Sequence, residues 1–311
     1  MDVTVRPLRE DDLREADRIF RLAFGTFVGL RDPTEFAGDS DWIATRWRAD
    51  PSAAFAAEAD GQLAGSIFAI NWGSVGFFGP LSVRPDLWDR GIGRRLLEPA
   101  MACFDRWGTR HAGLYTFAQS AKHVGLYQRF GFHPRFLVAI MTLPPRTVTT
   151  EPYTRFSAIV PAEREYHLSA CRELTDAVFA GLDVTREMRT VAAQQLGDTL
   201  LVWEGSRLLG LAVCHVGPGT EAGGGSCYVK FAAARAGDGA PDRFERLLDA
   251  VEAYAASHGA GVTAGVNVGR EDAYRRMLAR GYRTAIQGVA MHRPNRAGYD
   301  RPDVYVIDDW R

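Results

Sequence analysis

The 311-residue sequence has only four cysteines, no CxxC pair, no long apolar run and no surplus of charge of either sign. Cys103, Cys171, Cys214 and Cys227 stand singly in or beside apolar segments. They read as reduced core residues, and neither a metal site nor a disulfide framework is expected. No segment approaches the length that crosses a bilayer, and the opening MDVTVRPLREDD lacks the basic stretch, apolar core and cleavage site of a secretory signal. A cytoplasmic protein without membrane contact is the expectation. With 37 basic and 38 acidic residues the chain has no broad nucleic-acid footprint, although a local phosphate site stays open. What is present is the 46% apolar, 24% charged composition of a globular protein, long enough for about two domains.

The order of patterns repeats. TVRPLREDD reads as a short strand and a helix start, and LREADRIFRLAF as an amphipathic helix. The polar and aromatic GTFVGLRDPTEFAGDSDWIATRWRAD reads as a loop with a second short helix, and AAFAAEADGQLAGSIFAINWG as a hairpin turning at Asp60-Gly61. SVGFFGPLSV then gives a strand, RRLLEPAMACFDRW a helix, GLYTFAQ a strand, KHVGLYQRF a helix and FHPRFLVAIMTLP a closing strand. The second half follows the same order with poorer landmarks, from a hairpin at Gly205-Ser206 through PDRFERLLDAVEAYAASHG to QGVAMHRP. A duplicated α/β unit is predicted, with boundaries at 1–145 and 155–294, a junction near PPRTVTTEPYTR and a tail at 295–311. In that tail VYVI suits an edge strand or a docked apolar segment, with Asp308, Asp309 and Arg311 facing solvent or an interface.

The densest chemistry lies in RPDLWDRGIGRRLLEPA, where Gly91 and Gly93 sit between a strand and a helix. Glycines there let backbone N–H groups converge on an anion where a helix also leaves its first donors unpaired. Arg84, Arg90, Arg94 and Arg95 form surface salt bridges with Asp86 and Asp89 on one reading, and neutralise phosphate oxygens on the other. Farther on, Tyr127 lies one helical turn after His123. It is either a packed ring or a proton donor to a leaving group.

These two stretches, PLSVRPDLWDRGIGRRL and LYQRFGF, resemble in order and context the signatures of the GCN5-related N-acetyltransferase (GNAT) family. The resemblance implies an N-acetyltransferase with acetyl-CoA as cosubstrate and a mixed α/β fold. It implies two tandem domains, each with a mostly antiparallel central sheet flanked by helices. It also implies that Leu81, Ser82 and Val83 pair with the pantetheine arm, and that the amides of Asp89, Arg90, Gly91, Ile92, Gly93 and Arg94 cradle the pyrophosphate. Ser120 falls where the family often has a CoA-contacting asparagine, and Tyr127 would protonate the departing thiolate. Trp88 departs from the arginine or glutamine usual before the first glycine, and Ser120 is shorter than asparagine.

The second half has lost these landmarks: KFAAARAGDGAPDRFERLL has no Gly-x-Gly entry, and Met277 falls where Tyr127 stands. A structural, degenerate copy that completes or shields the acceptor cleft is expected. No general base stands out among Glu35, Asp41, Glu58, His111 and His123. Phe27, Phe36, Trp42, Trp47, Phe68 and Trp72 either cover the core or line a pocket for an apolar or aromatic body. The expected partner is an amine-bearing small molecule, with a homodimer left open. A protein or peptide amine is the alternative acceptor, and a noncatalytic acyl-CoA sensor is the alternative from another class.

Overall fold

A computed structural model describes residues 2–311. The first half runs β1 (Val3–Pro7), α1 (Leu13–Val28), α2 (Ile43–Ala49), β2 (Ala54–Ala59), β3 (Gln62–Trp72), β4 (Val75–Phe78), β5 (Ser82–Val83), α3 (Ile92–Trp107), β6 (His111–Thr116), α4 (Ala121–Gln128) and β7 (His133–Leu143). The second runs β8 (Thr154–Arg155), α5 (Arg164–Val178), α6 (Thr185–Gln194), β9 (Gly197–Glu204), β10 (Arg207–Gly217), β11 (Gly223–Ala234), α7 (Ala240–Ser257), β12 (Gly261–Asn267), α8 (Glu271–Ala279), β13 (Arg283–Arg293) and β14 (Val306–Ile307). Local chemistry explains the best-defined elements. α1 buries Ala16, Ile19, Phe20 and Ala23, which share one face at helical spacing, and it stops at Gly29 in the left-handed region. α3 starts at Gly91, buries Leu96, Leu97, Ala100 and Phe104, and ends at Gly108, again left-handed.

The strands form one mixed sheet rather than two. Its order is β1-β2-β3-β4-β6-β13-β7-β12-β11-β10-β9-β8, with β5 on β3 and β14 on β11. The expected separate sheets are therefore corrected: each half's closing strand lies across the boundary. β13 inserts antiparallel between β6 and β7, and β7 pairs antiparallel with β12. Packing follows the exchange. Ala139, Met141 and Leu143 of β7 enter the core under α7 and α8, while Val289 and Met291 of β13 enter the core under α3 and α4. A further core under α5 and α6 takes Trp72 and Phe77 from the first half and Phe231 from the second, with the Trp72 and Phe231 rings 5.2 Å apart.

The end of the chain is docked, not exposed. Asp308 and Asp309 are each 2% accessible, because Arg270 and the hydroxyls of Tyr299 and Tyr228 pair with them. Trp310 lies so close to Gly113 that a Cβ there would stand 2.1 Å from its ring. All four cysteines are buried and unbridged. Among the described residues no helix is long and apolar enough to cross a membrane.

Candidate active site

β4 and β6 run parallel and pair only from Val75–Phe77 to His111–Gly113, then part. The chain leaving β4 shifts to β5, which pairs with β3 alone, so its other edge faces the gap. Alternate residues of an antiparallel pair face their partner. Arg84 donates its N–H to the Ala64 carbonyl at 2.8 Å and Ser82 is in register with Ser66, so Val83 between them turns its backbone groups away from β3 toward the gap, and Leu81 precedes this edge. One of those groups is already engaged: the Trp88 indole N–H donates to the Val83 carbonyl at 2.8 Å. Trp88 thus braces β5 instead of contacting phosphate as the residue it replaces would.

At the mouth of the gap the loop into α3 is shaped for an anion. Asp89 (φ +64°) and Gly91 (φ +79°) are both left-handed, and a Cβ on Gly91 would meet nothing within 4 Å. The amides of Ile92, Gly93 and Arg94 lie in the first turn of α3, where no preceding turn supplies acceptors. Gly93 faces Leu81 across the gap, 3.9 Å from that side chain if it carried a Cβ, so nest and strand edge belong to one cleft. Arg90 and Arg94 are exposed and make no ion pair among the described residues. Lys122, which the sequence reading did not name, reaches the same loop through Asp89 at 2.7 Å and lies 5.5 Å from the Trp88 ring centre.

Tyr127 is 8% accessible and packs against Phe78. Burial pushes its phenol well above the ordinary value, so it keeps its proton throughout the neutral range. His123 does not pair with it: the imidazole packs on Phe27 at 4.9 Å. The Ser120 hydroxyl caps α4, accepting the His123 N–H at 3.4 Å.

None of the candidate bases comes to the gap through a contact of its own. Glu58 pairs with Arg6, Asp41 caps α2 through Ala44 and is pushed up by burial, and Glu35 is exposed. His111 is buried against His292, where burial and then that neighbour push it down to about 4. Of the aromatics, Phe27 meets Phe117 beyond β6, and Trp42 faces Tyr228 of the second half at 6.0 Å. Phe36 joins the Phe20–Phe24 cluster, Trp47 donates to the Leu8 carbonyl, and Phe68 and Trp72 are 1% accessible. Phe68 and Trp72 are core residues, and Phe36 and Trp47 are partly buried against the core. Tyr115, not singled out by sequence, has a sealed hydroxyl without a partner, and burial pushes it up to about 12.

The second half has the same gap, but it is filled. β11 and β12 pair in parallel from Ser226–Val229 to Gly261–Ala264 and then part. β14 lies along the freed edge of β11, with Ala232 opposite Ile307 and the Ala234 N–H on the Tyr305 carbonyl at 2.9 Å. The loop into α7 is closed as well, because Arg243 donates to the carbonyls of Arg235, Gly237 and Asp238. The loop thus turns carbonyl oxygens inward onto a side chain of its own, where a phosphate-binding loop presents N–H groups. Met277 is fully buried in the core.

The Acetyltransferase (GNAT) family matches residues 16–132. The whole fold is similar to that of a candidate acetyltransferase from Pyrococcus horikoshii, with 16% identity, 99% of this chain and 95% of that one covered, and a TM-score of 0.71. It is also similar to GCN5-related N-acetyltransferases from Sphaerobacter thermophilus (14% identity, 94% and 95% covered, TM-score 0.58) and Anabaena variabilis (12%, 96% and 74%, 0.56). A search of the curated proteins finds no match. The family match is confined to residues 16–132, within the first half, and over the rest of the chain the likeness is one of fold.

Proposed function

We propose that the first half alone is catalytic and transfers an acetyl group from acetyl-CoA to the amine of a small molecule, by direct attack within a ternary complex. The observation that carries this reading is the contrast between the two gaps: one opens between a free strand edge and an anion-shaped loop, and its counterpart is occupied by β14. The backbone of Leu81 and Val83 pairs with the pantetheine arm, and the amides from Asp89 to Arg94 hold the pyrophosphate with Arg90, Arg94 and Lys122 around it. Ser120 lies at the edge of this path as the cap of α4. The second half is a degenerate copy of the same fold that covers the acceptor side.

In the reaction the neutral amine attacks the thioester carbonyl, whose oxygen gains charge beside the Leu81 N–H, and the carbon–sulfur bond breaks. Tyr127, kept protonated by burial, donates its proton to the departing thiolate. The attacking nitrogen loses its proton to water. Enclosure favours the neutral amine by desolvation.

A small acceptor is favoured over a folded protein because the second half closes over the acceptor segment. Gly224 donates to Asp39 at 2.8 Å, Asp41 donates to the Thr220 carbonyl at 2.9 Å, and Trp42 lies against Tyr228. A panel of aromatic and aliphatic amines with acetyl-CoA tests the reading. Thiol release with the small amines is expected, and acetylation confined to protein or peptide amines would overturn it.

A further inference from the structure

The apex of the first-half gap is gripped from behind by a charge pair that joins the two halves. Arg46 on α2 directs Nε and Nη2 to the two oxygens of Glu221, each at 2.9 Å, and its Nη1 to the carbonyl of Gly79 at 2.5 Å. The two side chains are 2% and 0% accessible. Glu221 lies between β10 and β11, and its Oε1 also receives Lys230 at 2.6 Å. Lys230 in turn meets Glu187 at 3.1 Å, and Glu187 accepts from the Trp72 indole at 3.3 Å. The same loop holds the acceptor segment through Asp39 and Asp41.

Four buried ions are a poor means of stabilising a core, because desolvation consumes most of their attraction and apolar replacements do as well or better. What they provide is fixed geometry. Here the geometry ends on one backbone atom, the Gly79 carbonyl, at the point where the chain leaves β4. Two residues on lies Leu81, whose N–H the proposed function puts at the thioester oxygen. Its aim is set by the path of the chain from Gly79, which Arg46 holds from one side and the Gly79 N–H, bonded to the Phe68 carbonyl at 2.9 Å, holds from the other.

We propose that Glu221, acting through Arg46, is a positioning residue for acetyl transfer in the first half: the pair fixes the Gly79 carbonyl so that the Leu81 N–H meets the thioester oxygen. This rests on the reading that the first-half gap binds acetyl-CoA. It makes the second half a working part of the site and not only its cover.

The test is calorimetric titration of acetyl-CoA and of CoA into the full-length protein and into the double variant Arg46→Met/Glu221→Leu, with thermal melting of both. Removing both charges leaves Lys230 and Glu187 as a matched pair, so the melting temperature is expected to hold. The wild type is expected to prefer acetyl-CoA over CoA by about fivefold, the worth of one hydrogen bond to the thioester oxygen. The double variant loses that preference while its CoA affinity is unchanged, and kcat for any amine turned over falls at least about tenfold with KM for acetyl-CoA little altered. Arg46→Lys, which keeps the charge but cannot span both partners, shows the same loss. A double variant that retains the preference, or a wild type that has none while binding both ligands, overturns the proposal. A wild type that binds neither ligand overturns the functional reading on which it rests.

Discussion

On the proposed function, Tyr127 holds a proton until a stronger base is made beside it, and its burial keeps that proton on. Tyr127→Phe removes the hydroxyl and leaves the ring on Phe78. Acetyl transfer is expected to fall about 10²-fold or more while acetyl-CoA affinity, read by calorimetry, stays within about twofold. A variant with full turnover would show that the thiolate is protonated otherwise, and a protein that binds acetyl-CoA but turns over no amine would be a sensor. Two histidines elsewhere contribute to the acid stability. His111 and His215 are both pushed down to about 4, each chiefly by burial, with His292 beside the first and Lys230 beside the second. Unfolded imidazoles titrate near about 6.5, so between these values the unfolded chain binds more protons than the folded one. Their contribution is complete above about pH 6.5 and is lost as the pH falls toward about 4. By pH 5 each has cost about 2 kcal/mol, which urea unfolding at pH 7 and pH 5 measures, with about two protons taken up on unfolding. An unfolding midpoint that does not move over that window would contradict the burial of both rings.

At the scale of elements, β14 fills the space where β11 and β12 part. Ile307 is fully buried and Ile307→Ala is expected to destabilise the protein by about 2–5 kcal/mol, measured as a fall in the denaturant midpoint. An effect below about 1 kcal/mol would mean that the strand is not held there. Which elements the sequence made legible follows from how local their causes are. The Asp60-Gly61 hairpin, the strand before Leu81, and the Gly91 entry and 3.6-residue spacing of α3 each follow from residues within a turn or two of one another. The exchange of β7 and β13 does not, because both are apolar strands of equal pattern and their partners are chosen by the packing of the whole sheet. α5 and α6 were not picked out, although Leu168, Cys171, Leu174 and Val178 carry the spacing of a helix. Asp308 and Asp309 read as facing solvent or an interface because their partners, Arg270 and Tyr228, lie 38 and 81 positions away in the chain. Arg46 and Glu221, 175 positions apart, gave no local signal at all.

The whole molecule is built on one continuous sheet in which β13 lies between β6 and β7, and β7 beside β12. β13 supplies Val289 and Met291 to the core beneath α3, so a fragment of residues 1–145 lacks part of the wall behind Tyr127 and is expected neither to unfold cooperatively nor to bind acetyl-CoA. The central claim is that a single site lies in the first half, and calorimetric titration of acetyl-CoA into the full chain tests it most directly, alongside Gly91→Glu and Gly239→Glu. Both glycines are left-handed, at φ +79° and +77°, and each precedes a helix, so the two variants impose the same backbone strain in the two halves. The account predicts one molecule bound per chain, lost in Gly91→Glu and kept in Gly239→Glu. No binding, two equivalent sites, or binding that survives Gly91→Glu would contradict it.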